Sequence, residues 1–456
     1  MSKLGDFVKV QGGYAFKSSE LSDDKIGVPV IKIGNITGGS FVDLSNYQSV
    51  SFQLFEKTKS FATKDNDILI AMTGANVGKT SRVPVNSDTY LINQRVGRFL
   101  LKDDCPYTSD FIYYVVSSKQ AYQYFSRVAD GAAQPNISGK TIENFEFPNL
   151  DSRYANKIGD ILKSLDDKIQ LNSQINQTLE QIAQTIFKSW FIDFDPVHAK
   201  AEALANGQTA EQATQAAMAV ISGKNTQELH RLQTANPEQY QQLWEIADTF
   251  PSGVDEEGVP WGWEEKPLPE LIDFLEGPGI RNWQYTEEED GIKFINIRCI
   301  KNGDLSLETA NKITREEAFG KYAHFQLKED DIVISTSGTL GRFALVRNEH
   351  LPLCLNTSVI RFRPIENKST LAFLLGLASN QLQYELEARA SGSVQRNFGP
   401  THLKQISVLL PDFYLLSLHN KYISTLFELR KSNLRENDLL MKTRDVLLPK
   451  LLSGEV

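Results

Sequence analysis

The 456-residue sequence predicts an α+β protein with two repeated α/β domains, separated by two long helices that form an antiparallel coiled coil. Two observations predict this architecture. The two halves of the chain align with each other as an internal repeat. After each copy of the repeat comes an amphipathic stretch with the three- and four-residue spacing of a coiled-coil seam.

The repeat is an ordered series of matches. A shift of 264 residues aligns residues 4–74 with residues 268–338 without a gap, so that "FATKDNDILIAMTG" meets "FQLKEDDIVISTSG". The shift falls to 263 where "LINQRVGRF" meets "CLNTSVIRF", and to 261 where "GAAQPN" meets "GSVQRN". Such a drift is typical of loop deletions between preserved elements. It predicts two domains of about 150 residues each.

Each copy contains β-type runs separated by Gly, Asn and Asp turns, and one helical stretch. The first copy has strands at 28–33, 67–72, 96–101 and 145–148, with a helix near 109–126. The second copy has strands at 293–297, 332–336, 359–363 and 406–411, with a helix near 370–390. The predicted domains are 1–150 and 261–412. A central helical region at 151–260 and a C-terminal helix at 413–456 complete the chain.

The central region begins with a predicted long helix at 158–190. Asn172 and Asn176 lie in the middle of its seam, where polar residues determine register rather than add stability. The other seam positions are Leu162, Leu165, Ile169, Leu179, Ala183 and Ile186. The C-terminal stretch carries Ile423, Leu426, Phe427, Leu434, Leu440, Met441, Leu447 and Leu451 at a comparable, less regular spacing. The two helices either pair as a spacer between the domains or pack separately, each on its own domain.

The stretch "AMTGANVGKT" (71–80) resembles a phosphate-binding loop, but Gly74 and Gly78 are separated by three residues where that loop needs four. In the second copy the same stretch is "STSGTLGRFA", which has no Gly-Lys-Thr ending. Both copies keep a strand, a Gly turn and a following cation, Lys79 or Arg342. We interpret it as a duplicated Gly turn and not as a nucleotide site.

Composition excludes several classes of protein. The net charge is −9, with 16 basic and 15 acidic residues in 1–150 but 8 and 16 in 151–260. The acidity is therefore concentrated in the central region, whose insert at 196–260 is either a docking surface or a solvated spacer. No apolar run is long enough to cross a membrane, and no signal peptide is recognisable. The three separated cysteines and six scattered histidines predict buried thiols, a reducing cytoplasm and no metal site.

Several motifs resemble the DNA-specificity subunit of type I restriction–modification systems. They are "LGDFVKVQGGYAFKSSE" (4–20), "DILIAMTGANVGKT" (67–80), "GAAQPNISGKTIENFEFP" (131–148), "FKSWFIDFDPV" (187–197), "VPWGWEEKPLPEL" (259–271) and "GPGIRNW" (277–283). The resemblance implies that the two α/β domains are target recognition domains, each reading half of a bipartite DNA site, and that the helices set the unread spacer. The second copy lacks "GYAFKS" and has "QRNFGP" in place of "QPNISG", so we expect the two half-sites to differ.

The resemblance also implies partners and the absence of catalysis. The expected partners are double-stranded DNA, two methyltransferase subunits and the restriction/translocase subunits. S-adenosylmethionine, ATP and Mg²⁺ are expected on the partner subunits only, with no cofactor on this chain. The sequence contains no Asn/Asp-Pro-Pro-Tyr/Phe methyltransferase motif and no nuclease carboxylate cluster. Two alternatives stay open: a fused restriction or methylation enzyme, and a protein scaffold of two repeated domains that does not read DNA.

Sequence reading needs side chains with two hydrogen-bonding groups on base edges, and cations on phosphates. We therefore predict DNA contacts at Tyr14, Phe16, Lys17, Lys79, Arg82, Gln134, Asn136, Arg281, Trp283, Arg342, Gln395, Arg396 and Asn397. The aromatic cluster after the first long helix is predicted either to dock the methyltransferase or to pack locally against the helix pair. It consists of the aromatic residues Trp190, Phe191 and Phe194 together with the adjacent Asp195.

Overall fold

The computed structural model describes residues 2–85, 88–129, 135–280, 284–389 and 400–454. The chain divides into two compact units. The first contains Met1–Ser173 and Glu436–Val456, and the second contains Gln174–Arg435. Each unit therefore contains one of the two α/β domains together with a segment of each long helix.

The first domain consists of seven described strands and five short helices that precede the first long helix. The strands are β1 Val8–Gly12, β2 Val28–Ile31, β3 Gln48–Val50, β4 Ile68–Ala71, β5 Thr80–Arg82, β6 Leu91–Ile92 and β7 Val96–Leu101. The helices are α1 Leu4–Phe7, α2 Phe52–Thr58, α3 Ser109–Ser117, α4 Lys119–Val128, α5 Gly139–Glu143 and the long α6 Ser152–Phe191.

The second unit contains the helical insert, the second domain and part of the C-terminal helix. The insert helices are α7 Asp195–Ala205, α8 Ala210–Ser222, α9 Thr226–Ala235 and α10 Pro237–Thr249. The strands are β8 Glu264–Pro267, β9 Ile272–Glu276, β10 Ile292–Ile295, β11 Ile300–Lys301, β12 Asp304–Leu305, β13 Asn311–Ile313, β14 Ile332–Ser335, β15 Phe343–Leu345, β16 Leu353–Leu355, β17 Val359–Pro364 and β18 Ser407–Leu410. The remaining helices are α11 Arg315–Phe319, α12 Leu371–Asn380, α13 Leu382–Arg389, α14 Pro400–Leu403 and the long α15 Phe413–Ser453.

The two α/β domains share one sheet topology, as the internal repeat predicts. The main sheet has the order β1-β7-β4-β5 in the first domain and β9-β17-β14-β15 in the second. Its register is preserved too, since Val10 faces Phe99 and the matching Phe274 faces Phe362. A smaller sheet has the order β3-β2-β6 or β13-β10-β16, with one antiparallel and one parallel pairing in each domain.

Three predicted elements differ from the structure. The single helices expected near 109–126 and 370–390 are each two helices, α3 with α4 and α12 with α13. The first break lies at Ser118, whose extended backbone ends α3 and whose hydroxyl accepts a hydrogen bond from the N–H of Ala121 to begin α4. The strand predicted at 145–148 is reduced to an isolated bridge between Glu146 and Lys3.

The core of the first unit lies between the main sheet, α3 and the long helices. Six consecutive α3 residues, from Phe111 to Val116, are buried in it. Ala155, Ile158 and Leu162 of α6 belong to the same core, and so does Leu451 of α15. Both long helices therefore contribute apolar side chains to the first unit.

The long helices run antiparallel within each unit, because higher residue numbers on α6 meet lower numbers on α15. In the first unit the amide of Asn172 donates to Oδ1 of Asn437 over 2.9 Å. In the second unit the amide of Asn433 donates to Oδ1 of Asn176, also over 2.9 Å. These four buried amides confirm the predicted antiparallel pairing. They also occupy the seam positions at which polar residues determine register.

The acidic insert packs into the second unit through one apolar face. Tyr240, Leu243 and Ile246 of α10 belong to the same core cluster as the end of α6. The buried ammonium of Lys200 donates to the carbonyls of Asp248 and Phe250 at 3.1 and 2.6 Å, which closes the C-terminal end of α10. The insert is thus not a spacer solvated on all sides.

Candidate functional site

The Gly turn that follows the central strand has the same conformation in both domains. Gly74 and Gly338 adopt left-handed φ values of 74° and 67°. A Cβ at either position would lie against an isoleucine, 3.3 Å from Ile33 Cδ1 or 3.4 Å from Ile297 Cδ1. The turn leads into the short strands β5 and β15, and not into a helix whose N-terminus could receive a phosphate. The structure therefore agrees with a duplicated Gly turn.

The two cations that follow the turns differ in their surroundings. Lys79 is half-buried, and its ammonium donates to Oδ1 of Asn76 at 3.0 Å. Arg342 is exposed, and its backbone N–H donates to Oγ of Ser335 at 3.0 Å. Their predicted contact with phosphates remains a prediction.

The prediction that Arg82 holds a phosphate is wrong, because the structure buries this side chain. Arg82 is 1% exposed. Its guanidinium lies 3.0 Å from Asp110 and 2.9 Å from Asp166, with the ring centre of Tyr113 at 4.3 Å. Burial alone would lower the pKa of Arg82, but electrostatic attraction to Tyr114 and Tyr113 and to the carboxylates of Asp166 and Asp110 outweighs burial and raises it. Arg82 is a structural cation.

Asp166 connects Arg82 to the second long helix. Its carboxylate accepts from the hydroxyl of Tyr114 at 2.7 Å and from the guanidinium of Arg444 at 2.8 Å. Burial and the adjacent Asp166 raise the pKa of Tyr114 well above its usual range, so its hydroxyl keeps the proton that it donates. Five side chains from four elements of the first unit, β5, α3, α6 and α15, thus share one network.

The aromatic residues predicted to line a groove at the start of the first domain belong mainly to a small core. Phe16 is buried beside Tyr14, with ring centres 4.9 Å apart, so the prediction that Phe16 contacts DNA is wrong. Tyr14 is half-buried, and its carbonyl accepts from the N–H of Gln94 at 2.8 Å. Lys17 is exposed. The contacts of Tyr14 and Lys17 with DNA stay predictions.

Asn136 is exposed and lies in a surface cleft of the first domain. The loop that carries it is joined to the Gly turn by two backbone hydrogen bonds, from Gly74 N–H to the carbonyl of Pro135 (3.0 Å) and from Ile137 N–H to that of Met72 (2.9 Å). The cleft is lined by Met72, Thr73, Gln94, Arg95, Asn136, Ile137, Ser138 and Gly139. The Gly turn and the repeated loop therefore meet at one surface.

Gln94 and Arg95 are exposed residues of this cleft that the sequence analysis did not select. They lie between β6 and β7, and the carbonyl of Arg95 accepts from the N–H of Met72 at 2.9 Å. A signal for them exists in the repeat. "LINQRVGRF" and "CLNTSVIRF" share the flanking Asn and Val but differ at the two enclosed positions. A preserved frame around a variable pair is the pattern expected where two domains read different ligands.

Six predicted contact residues lie outside the described residues: Gln134, Arg281, Trp283, Gln395, Arg396 and Asn397. Within the described ranges, no group of three or more His, Cys, Asp or Glu residues is arranged to hold a metal ion. In those same ranges no helix is both long and apolar enough to cross a membrane.

The aromatic cluster after the first long helix is packed inside the second unit. Trp190 is 1% exposed and stacks on Tyr422, with ring centres 5.4 Å apart. Phe191 is buried, and its ring packs edge-on against the imidazole of His419, with ring centres 4.8 Å apart. The prediction that Trp190 and Phe191 dock a methyltransferase is therefore wrong, and local packing against the helix pair is correct. Phe194 is half-buried against Trp263, and Asp195 is exposed at the start of α7.

Comparisons with known proteins agree with this architecture. The family described as "Type I restriction modification DNA specificity domain" matches residues 1–181 and 260–429. The chain is 32% identical over 449 residues to the type I restriction enzyme HindI specificity subunit of Haemophilus influenzae, covering 94% of each chain. It is 23% identical to the MjaIX specificity subunit of Methanocaldococcus jannaschii, covering 100% of this chain and 93% of that protein.

A solved structure shows the same fold. The crystal structure of the type I restriction–modification S subunit from M. genitalium matches with a TM-score of 0.50. The match covers 98% of this chain and 94% of that chain at 16% identity. At this identity the likeness concerns the fold alone.

Proposed function

The chain belongs to the type I restriction–modification DNA-specificity family, as a specificity subunit with two target recognition domains, and we propose that it binds an asymmetric bipartite DNA sequence. The proposal rests on one observation: the two domains have the same sheet topology but carry different side chains on equivalent loops. Two domains of equal fold and unequal surface suit two different half-sites, because base edges are distinguished by the side chains that reach them.

We propose that this chain and its partner subunits have separate functions. This chain selects the DNA and assembles with two methyltransferase subunits and with restriction/translocase subunits, and it performs no chemistry itself. S-adenosylmethionine, ATP and Mg²⁺ are bound by the partners. The absence of a methyltransferase motif from the sequence supports this division.

The phosphate-facing side of the interface is proposed to include Lys79, Arg342 and Lys17, with Tyr14 and Asn136 closer to the bases. The six predicted residues outside the described ranges complete the set. Exposed amides and cations are the groups that DNA reading requires. Each domain would bind its half-site through backbone-positioning and base-reading contacts made from the same loops.

The test is co-expression with the methyltransferase subunit encoded beside this chain, followed by mapping of methylated sites in the host DNA by single-molecule sequencing. We expect a bipartite motif with a fixed unread gap. Exchange of residues 1–150 for another domain of the family should change one half-site only. Methylation whose motif ignores that exchange would show that this chain does not read DNA. Absence of any motif would favour a protein scaffold of two repeated domains.

A further inference from the structure

The loop before the last strand of the main sheet holds two adjacent positions that differ between the domains within a common frame. Asn93 and Val96 of the first domain match Asn356 and Val359 of the second. The enclosed residues are Gln94-Arg95 in the first domain and Thr357-Ser358 in the second.

The backbone places these pairs equivalently. The N–H of Met72 donates to the carbonyl of Arg95, and the matching N–H of Thr336 donates to that of Ser358, both over 2.9 Å. In each domain the loop that carries the pair packs closely against a glycine near the start of the domain, Gly13 or Gly277. A Cβ on Gly13 would overlap the carbonyl oxygens of Ile92 and Asn93, so only glycine fits there. The position of the variable pair is therefore a property of the shared fold, whereas its side chains differ and only Ser358, not Arg95, has a left-handed φ.

The side chains of the first pair are available to a ligand. Gln94 and Arg95 are exposed beside Asn136 and Ser138 in the cleft. Arg95 has no carboxylate partner within the described part of the chain. The hydroxyl of Thr73, at the base of the cleft, is buried and has no hydrogen-bond partner among the described residues. The exposed side chains of Gln94, Arg95 and Asn136 thus offer hydrogen-bonding groups to a polar ligand at one concave surface.

The chemistry of the pair identifies that ligand. Arginine presents two parallel N–H donors that match O6 and N7 of guanine in the major groove, and the amide of glutamine matches N6 and N7 of adenine. The single hydroxyls of Thr357 and Ser358 cannot make either two-point contact. We propose that Gln94 and Arg95 read purine edges of the half-site bound by the first domain, with Arg95 selecting a guanine. This inference rests on the proposed DNA-reading function and deepens it.

The experiment is site mapping with the complete methyltransferase complex that contains a full-length variant of this chain. In Gln94→Thr/Arg95→Ser, the first domain receives the side chains of the second. We expect one or two specified purines of one half-site to become unspecified, while the other half-site and the gap length stay unchanged. The substitution is made in this direction because Ser358 has a left-handed φ of 67°, where arginine would be strained.

The charge-preserving variant Arg95→Lys separates base reading from phosphate binding. Lysine keeps the cation but loses the planar fork. We expect the preference for guanine at the affected position to fall, by less than the roughly 5- to 150-fold of a fully lost two-point contact, because the lysine ammonium still donates to guanine acceptors. Lys119→Ser, an exposed cation on α4 that does not line the cleft, is the matched control and should leave the motif unchanged.

The outcomes separate this inference from the proposed function. A bipartite wild-type motif that survives both variants would overturn the base-reading role and leave the specificity function intact. A motif unchanged in Arg95→Lys but methylated more weakly throughout would mean that Arg95 binds a phosphate, which also overturns it. If the variant instead changes the half-site read by the second domain, the pair does not read the half-site proposed here, and the inference is wrong. Absence of a motif with the wild-type chain would reject the proposed function itself.

Discussion

Oδ2 of Asp166, on the first long helix, lies 2.9 Å from a guanidinium nitrogen of Arg82 in the first α/β domain. Oδ1 of the same carboxylate lies 2.8 Å from Arg444 on the second long helix. Both Arg82 and Asp166 are almost fully buried. One carboxylate thus neutralises two cations and joins the domain of the first unit to both helices.

Asp166→Asn should destabilise the first unit strongly, because it leaves Arg82 buried with only the half-exposed Asp110 as a counter-charge. Loss of one partner of a buried pair lowers the free energy of unfolding by about 3–5 kcal/mol. Urea unfolding monitored by circular dichroism measures it. Asp167→Asn, the exposed neighbour, is the control and should change the free energy by less than about 1 kcal/mol. Equal effects of the two variants would contradict the network's role.

His419→Leu should stabilise the second unit. The imidazole is fully buried among Phe187, Trp190 and Phe191, and neither ring nitrogen has a hydrogen-bond partner in the described residues. Replacement of an unpaired buried polar group by an apolar one removes a desolvation penalty of about 1–3 kcal/mol. Denaturant unfolding at neutral pH measures the gain. His230→Leu, on the exposed face of α9, is the matched control and should give none.

The same histidine should make stability depend on pH. Burial lowers the pKa of His419 to about 3, against an ordinary value of 6.5. Below pH 6.5 the unfolded chain therefore binds a proton that the folded chain does not, and stability falls as the pH drops toward 3. This group contributes up to about 1.4 kcal/mol per pH unit to that loss. Unfolding measured between pH 7 and pH 5 should show a smaller loss in His419→Leu than in the unmodified chain. Equal slopes would exclude His419 as the source.

Gly376→Ala should destabilise the second unit although alanine favours helices. A Cβ at Gly376 of α12 would overlap the ring of Phe187 on α6. Overpacking of this kind lowers stability by about 1–3 kcal/mol, which exceeds the gain of about 1 kcal/mol from helix propensity. Thermal unfolding measures the difference, and Gly34→Ala is the control because no atom lies within 4 Å of its added Cβ. Recovery of stability in Gly376→Ala/Phe187→Leu would confirm the overlap as the cause.

Lys79→Gln and Arg342→Gln should weaken DNA binding without changing the recognised sequence. A cation that neutralises one phosphate contributes about 0.9 to the slope of log K against log salt concentration. Each substitution should reduce the slope by about that amount in binding titrations of the methyltransferase complex. Lys119→Gln should leave the slope unchanged. A changed methylation motif in either variant would assign the cation to a base and not to a phosphate.

Much of the fold could be predicted because its signals are local in the chain. The repeat predicted two domains of one topology, and β7, at Val96–Leu101, has the predicted bounds. The two long amphipathic stretches predicted the antiparallel pairing in which Asn172 meets Asn437. The break at Ser118 was missed because a buried apolar run such as Phe111–Val116 does not show where its helix ends.

The candidate site was less predictable, because exposure depends on residues distant in sequence. The internal alignment already shows that two copies of one fold carry different loop residues, because alignment and spacing are properties of the chain. The burial of Arg82 against an aspartate 84 residues away, and the cleft that Gln94 and Arg95 share with Asn136, are visible only in the folded structure. The sequence shows only the residue type of a charged side chain, which is the same in a buried network and on a DNA-facing surface. Its neighbours determine whether it is desolvated and paired or free to bind.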